Sequence, residues 1–124
     1  MSAVGQIAAL VAGLIHIMIF GMESIFFRRA AVHGTFGVAA GDLPAVRPWA
    51  LNQGFYNLFL AVGDLVGLIL LHSGERDAGY ALVALTCGSM LAAALVLLAT
   101  NRRMLRAATI QGLAPLLALA FLFL

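Results

Sequence analysis

The chain has 124 residues, 64% of them hydrophobic and 10% charged, with a formal charge of +2 in which every basic residue is arginine. Soluble domains carry about 25% charged residues, and a chain this short keeps too much surface for its volume to hide so much apolar side chain from water. The composition therefore excludes a water-soluble enzyme or nucleic-acid-binding module, and there is no basic face with interleaved aromatics. A bilayer resolves the conflict, because lipid solvates the outside of every helix. A single cysteine, Cys87, excludes an internal disulfide and any cysteine-built metal site. The start of the chain has no positive segment before its first apolar run, so that run reads as a retained helix.

Four apolar runs follow in order, and residues 1–124 read as one integral membrane domain. The first predicted helix covers about residues 3–27 and stops at Arg28-Arg29. The second covers about 49–71. It opens just after Pro48, which suits a first turn whose N–H needs no partner. The third covers about 79–99, after the polar turn Ser73 to Asp77, and the fourth about 107–124, after Asn101-Arg102-Arg103. Each is close to the ~20 residues that cross a bilayer. Only helices satisfy their own backbone within such a run. The expectation is an all-α, four-helix transmembrane bundle. Residues 28–48 form the one long connection, rich in glycine and expected to be irregular or to hold a short surface helix.

Arg28, Arg29, Arg47, Arg102, Arg103 and Arg106 fall on the side of that connection, and only Arg76 falls on the other. The asymmetry reads as topology and headgroup contact. It predicts a cytoplasmic long loop with both termini extracytoplasmic.

Charged and amide side chains inside a membrane turn toward the bundle interior and find partners there, because an ionisable group at mid-bilayer costs about 2.5–3.5 kcal/mol. In the first run, Gln6, Ala9, Gly13, His16, Phe20, Glu23 and Phe27 recur by three and four, which is one helical face. In the second, Gln53, Asn57, Leu60, Asp64 and Gly67 do the same, with Asn52 and Tyr56 beside them. The two runs are antiparallel, so Glu23 and Gln53 fall at matched depth, and Gln111 falls on the same side. Glu23, Asn52 or Gln53, Asn57 and Gln111 are predicted to line the cytoplasmic half of one cavity, with His16 and Asp64 at its floor. Gln6, Thr86, Ser89 and Cys87 read as packing residues, and His33, Asp42 and His72 as solvated. The steps Gly63–Gly67 and Gly5–Ala9–Gly13 read as close helix packing.

The segment Asn52-Gln53-Gly54-Phe55-Tyr56-Asn57-Leu58-Phe59-Leu60-Ala61 resembles the N-Q-G-x-Y-N-x-F-L-A segment of the small bacterial membrane family catalogued as domain of unknown function 1304. His16, Glu23, Gln111-Gly112 and Pro115 resemble further recurrent positions of that family. Leu58 departs from it, standing where the family usually has glycine, and Asp64 is not among the matching positions. The resemblance spans nearly the whole chain. It implies a four-helix fold in a bacterial inner membrane and implies no activity.

Three functions fit these residues. One is a membrane-embedded acid/base enzyme of isomerase, hydrolase or lyase type acting on a lipophilic small molecule. In it Glu23 and His16 are catalytic, and Gln53, Tyr56, Asn57, Asn52, Gln111 and Asp64 bind substrate. Another is a proton-coupled transporter with the size and plan of the small multidrug exporters, in which Glu23 exchanges proton for substrate. The last is an accessory subunit of a larger membrane complex. A charged residue is not needed for helix packing, and Glu23 lies near one end of its helix, away from the midplane where alternating access operates. The enzyme reading is preferred. The expected partners are the lipid bilayer, a lipophilic small molecule, and a second copy or another membrane subunit, with no nucleic acid. There is no nucleotide motif, phosphate loop or nucleophile elbow. No cofactor is expected and no metal either, since His16, Glu23 and Asp64 are spread over two turns.

Overall fold

The computed structural model describes residues 1–124. Helix α1 spans Ala3–Phe20 and runs on through a π-helical turn, Gly21–Ile25. A short helix α2 (Ala30–Thr35) and a single 3₁₀ turn (Ala40–Asp42) lead into α3 (Leu43–His72). Helix α4 covers Arg76–Thr100, and a 3₁₀ turn at Arg102–Met104 leads into α5 (Leu105–Ala120). The protein is all-α. Three of its helical stretches, Ala3–Ile25, Ala40–His72 and Arg76–Thr100, are long and apolar enough to cross a membrane. At 16 residues, α5 is about 24 Å long, short of the ~30 Å hydrocarbon layer.

Local chemistry explains most of the boundaries. Ser2 caps α1 by accepting a hydrogen bond from the Gly5 N–H at 3.2 Å. Gly74, at φ +93°, makes the tight turn between α3 and α4, in a conformation that side chains avoid. Asn101 ends α4 and accepts from the Arg103 N–H at 3.2 Å. Helix α3 begins six residues before the expected start, so Pro48 lies inside it and not at its first turn. The missing Pro48 N–H leaves the Pro44 carbonyl without its helical partner. That carbonyl sits in the first exposed turns, where Pro44, Arg47, Pro48 and Trp49 are all exposed and solvent or headgroups are available.

The four long helices form a ring in which α1 packs on α3 and α5, and α4 packs on the same two. The half of the ring holding both chain termini is filled by Ala9, Ala12, Val83, Cys87, Met90 and Ala118, none of which retains accessible surface. Small residues let backbones meet there. A Cβ on Gly79 would stand 2.8 Å from both the Gly67 carbonyl oxygen and the Leu71 nitrogen, so α3 and α4 touch main chain to main chain. The outer surface is apolar: Ile7 is 62% exposed, Phe59 62%, Ile69 66%, Leu85 67% and Val96 62%. Exposed apolar area on this scale is consistent with a surface covered by lipid.

One residue expected to be solvated is held instead. His33 is buried, its Nδ1 2.7 Å from the Val38 carbonyl oxygen, because Phe27 and Phe36 fold around it with ring centroids 5.8 Å apart. His72 remains exposed but bonds Gln6, Nε2 to Oε1, at 2.6 Å.

Candidate functional site

The opposite half of the ring is open. A cavity of about 690 Å³ lies between the end of α1, the first half of α3, the last turns of α4 and the start of α5, with Thr35 and Phe36 of the α2 segment at its edge. Polar groups on its walls come from His16, Glu23, Gln53, Tyr56, Asn57 and Gln111, with the Thr35 hydroxyl at the edge. The rest of the wall is mostly apolar, including Ile19, Met22, Leu60 and Ile110. Arg103 and Arg106 line it as well. The volume is that of an ordinary small-molecule site.

Glu23 is placed by the π turn. The Phe26 N–H donates to the Gly21 carbonyl, five residues back, at 2.9 Å, which widens the helix by one residue. Such turns recur at functional sites. The turn lies directly on α3. A Cβ at Gly54 would fall 1.9 Å from Ser24 Oγ, 3.0 Å from Ser24 Cβ and 3.1 Å from Glu23 Cβ. Only glycine permits that approach. Ser24 Oγ then donates to the Leu51 carbonyl at 2.8 Å, and Asn57 Nδ2 donates to Glu23 Oε1 at 2.6 Å. Asn57 is itself steadied by a 3.2 Å bond from Nδ2 to the Gln53 carbonyl. Beside them Phe20 meets Phe55 edge to face at 5.2 Å, fixing the crossing of α1 and α3.

His16 lies deeper, 2% exposed and on the cavity wall. Its Nδ1 stands 2.8 Å from the Ala12 carbonyl oxygen. A carbonyl only accepts, so the proton is on Nδ1 and the Nε2 lone pair is left free. No direct bond joins His16 to Glu23. They are two separate groups on one wall.

Of the eight residues expected at the site, the structure brings six to this cavity and leaves two outside. Asn52 is exposed and does not line it; it is one position, about 100° of helix, away from Gln53. Asp64 is fully buried below it, between α1 and α4. Its Oδ1 is 3.5 Å from both Thr86 Oγ1 and Cys87 Sγ, and its Oδ2 has no partner. The His16, Glu23 and Asp64 set therefore does not assemble, and no three His, Cys, Asp or Glu side chains gather as a metal site. Four further contributors were not singled out as site residues from the sequence. Ser24 and Gly54 acquire their roles only when α1 meets α3. Arg103 and Arg106 read as topology signals until the 3₁₀ turn ahead of α5 brings them to the cavity.

The model of a family described as "Protein of unknown function (DUF1304)" matches residues 10–123. The chain belongs to that family. No curated protein matches it, and no solved structure does. In this DUF1304 chain the segment Asn52–Ala61 supplies four cavity residues, Gln53, Tyr56, Asn57 and Leu60, together with the glycine that admits the π turn. The most distinctive stretch of sequence is thus the wall of the cavity facing Glu23.

Proposed function

We propose that the protein is a four-span membrane protein that performs acid/base chemistry on a small lipophilic molecule held in this cavity. Helix α5 is the fourth span, shortened because the cavity and the arginine-bearing 3₁₀ turn lie at its start. The arginine-rich end faces the cytoplasm. The observation that carries the reading is the arrangement of the walls. Glu23 and His16 share a mostly apolar cavity with three amides and a phenol, while the other half of the bundle is packed solid. A site closed at one end supports turnover in place, which is why catalysis is preferred to passage through the membrane.

In this reading His16 Nε2 takes a proton from the substrate, and a protonated Glu23 returns one at a second position. The net reaction is a proton shift with no external reagent, and the two groups reset by proton exchange through water. Asn57 holds the Glu23 carboxyl in one orientation. Gln53, Gln111 and Tyr56 stabilise charge that develops on a substrate oxygen. Isomerisation, including an isomerising ring opening, suits these groups; a hydration would add water as the second reactant.

The test is incubation of the detergent-purified protein with a lipid and metabolite extract in deuterated water, followed by mass spectrometry. The expected result is a set of lipophilic compounds that gain deuterium or change retention with the wild type. Neither Glu23→Gln nor His16→Gln, each melting at the wild-type temperature, should produce that set. Identical profiles for wild type and both variants overturn the acid/base reading.

A further inference from the structure

We infer that Arg103 and Arg106 form an anion subsite at the mouth of the cavity, so that its ligand is an amphiphile with a phosphate or carboxylate head. The inference rests on the cavity being a ligand site and adds the chemistry of the ligand.

Arginines at a membrane surface ordinarily serve topology, and Arg28, Arg29 and Arg47 fit that role: all three are exposed and none lines the cavity. Arg29 lies over the Phe26 ring, 4.7 Å from its centroid. Arg103 and Arg106 are exposed too, but they also border the cavity that Glu23 and Gln111 line. Neighbouring Arg102 does not. It faces a separate groove, with Leu95, Leu98, Ala99 and Leu105. The 3₁₀ turn at Arg102–Met104 makes this division, since successive residues there point about a third of a turn apart.

The cavity offers a single carboxyl group for these two guanidinium groups. Glu23 is its only acid, and one oxygen of Glu23 is already engaged by Asn57. Asp42 lies outside the cavity, and Glu75 and Asp77 belong to the turn and helix start at the far end of α3. Two guanidinium groups without carboxylate partners, beside an apolar cavity, match an anionic oxygen head attached to an apolar body. The geometry also orders the ligand. Gln111 is five residues along α5 from Arg106, about 7–8 Å further in. A head on the arginines therefore leaves the chain or ring beside Gln111, Glu23 and His16.

The test measures binding by thermal shift of the full chain in a neutral detergent. The probes are decyl phosphate, decan-1-ol, inorganic phosphate and phosphatidylglycerol. Decyl phosphate should bind at least tenfold more tightly than decan-1-ol. The double variant Arg103→Gln, Arg106→Gln should erase that preference while changing decan-1-ol binding less than twofold. Arg102→Gln removes the same charge outside the cavity and should leave the preference intact. Phosphatidylglycerol competing as well as decyl phosphate supports the subsite with a bilayer lipid as source, and failure to compete supports it with a free single-chain amphiphile. Equal binding of decyl phosphate and decan-1-ol overturns the inference, as does an Arg102→Gln loss equal to the double variant's. Inorganic phosphate protecting as well as decyl phosphate overturns it too. Ile110→Trp, which fills the cavity from an exposed lining position, separates the two layers. If it blocks both decyl compounds but charge has no effect, only the subsite fails. If it blocks neither, the cavity itself is not the ligand site.

Discussion

Replacing Gly54 with alanine tests the junction on which the site is built. The new Cβ would lie 1.9 Å from Ser24 Oγ, 3.0 Å from Ser24 Cβ and 3.1 Å from Glu23 Cβ. The first clash is relieved by rotating Ser24, which gives up its bond to the Leu51 carbonyl, about 1 kcal/mol. The other two require the π turn to move away by a few tenths of an ångström or more, an overpacking cost of about 1–3 kcal/mol. Alanine returns about 1 kcal/mol through helix propensity. The net loss is about 1–3 kcal/mol, read as a lower melting temperature in detergent. On the proposed acid/base function, the larger effect falls on turnover. Glu23 shifts with the turn, its short bond to Asn57 is strained, and a displacement approaching 1 Å costs on the order of 100-fold. Adding Ser24→Gly to Gly54→Ala removes two of the three close contacts and should recover most of the stability and part of the activity. A Gly54→Ala protein as stable and as active as wild type would refute the reasoning. So would a double variant no better than the single one, because the two positions are argued to couple directly.

Glu23→Gln keeps the size of the side chain and its acceptor for Asn57, so it should melt at or above the wild-type temperature while turnover drops at least ~100-fold; an active Glu23→Gln protein removes Glu23 from the chemistry. Asp64→Asn should likewise be neutral or stabilising, because a fully buried group with one unpartnered oxygen is replaced by one that never charges; a clear fall in melting temperature would mean that the acid itself holds α3 to α4. Gly79→Ala should be severely destabilising, by about 3 kcal/mol or more, since its Cβ meets main chain at 2.8 Å with no side chain able to yield; wild-type stability of that variant contradicts the α3–α4 contact. A cysteine added after Leu124 should react with an impermeant maleimide in intact cells, with buried Cys87 silent, and labelling only after lysis reverses the orientation.

Much of this was legible because lipid makes hydropathy and length nearly sufficient. All four apolar runs are helices, and the three- and four-residue spacing that joined His16 with Glu23, and Gln53 with Asn57, does bring them to one cavity. The start of α3 was misjudged because Pro48 was read as marking the helix opening, whereas Pro44 and Pro48 both fall within its first six residues, where few backbone bonds are lost. Asp64 shares a stripe with Asn57, yet the stripe passes below the cavity into the packed half, and a periodicity carries no information on where open space ends. The burial of His33 depends on Phe27 and Phe36, two rings nine positions apart that meet only through the turn between them. That Arg103 and Arg106 border the cavity while Arg102 does not follows from the 3₁₀ turn that leads into α5, below the resolution of any hydropathy pattern.

The π turn at Gly21–Ile25 makes this protein sensitive to insertions and deletions at a place where composition is uninformative. Removing Met22 would leave an apolar run of almost unchanged hydropathy, still long enough to reach across a bilayer. The five-residue step would close into an ordinary helical turn, and Glu23 and Ser24 would each take a neighbouring position, about 100° round the helix. Glu23 would leave Asn57, and Ser24 would leave Gly54. The number of residues between His16 and Phe27 is therefore as much a part of the site as their identities. A change in that count alone would take Glu23 from Asn57, however unchanged the side chains around it.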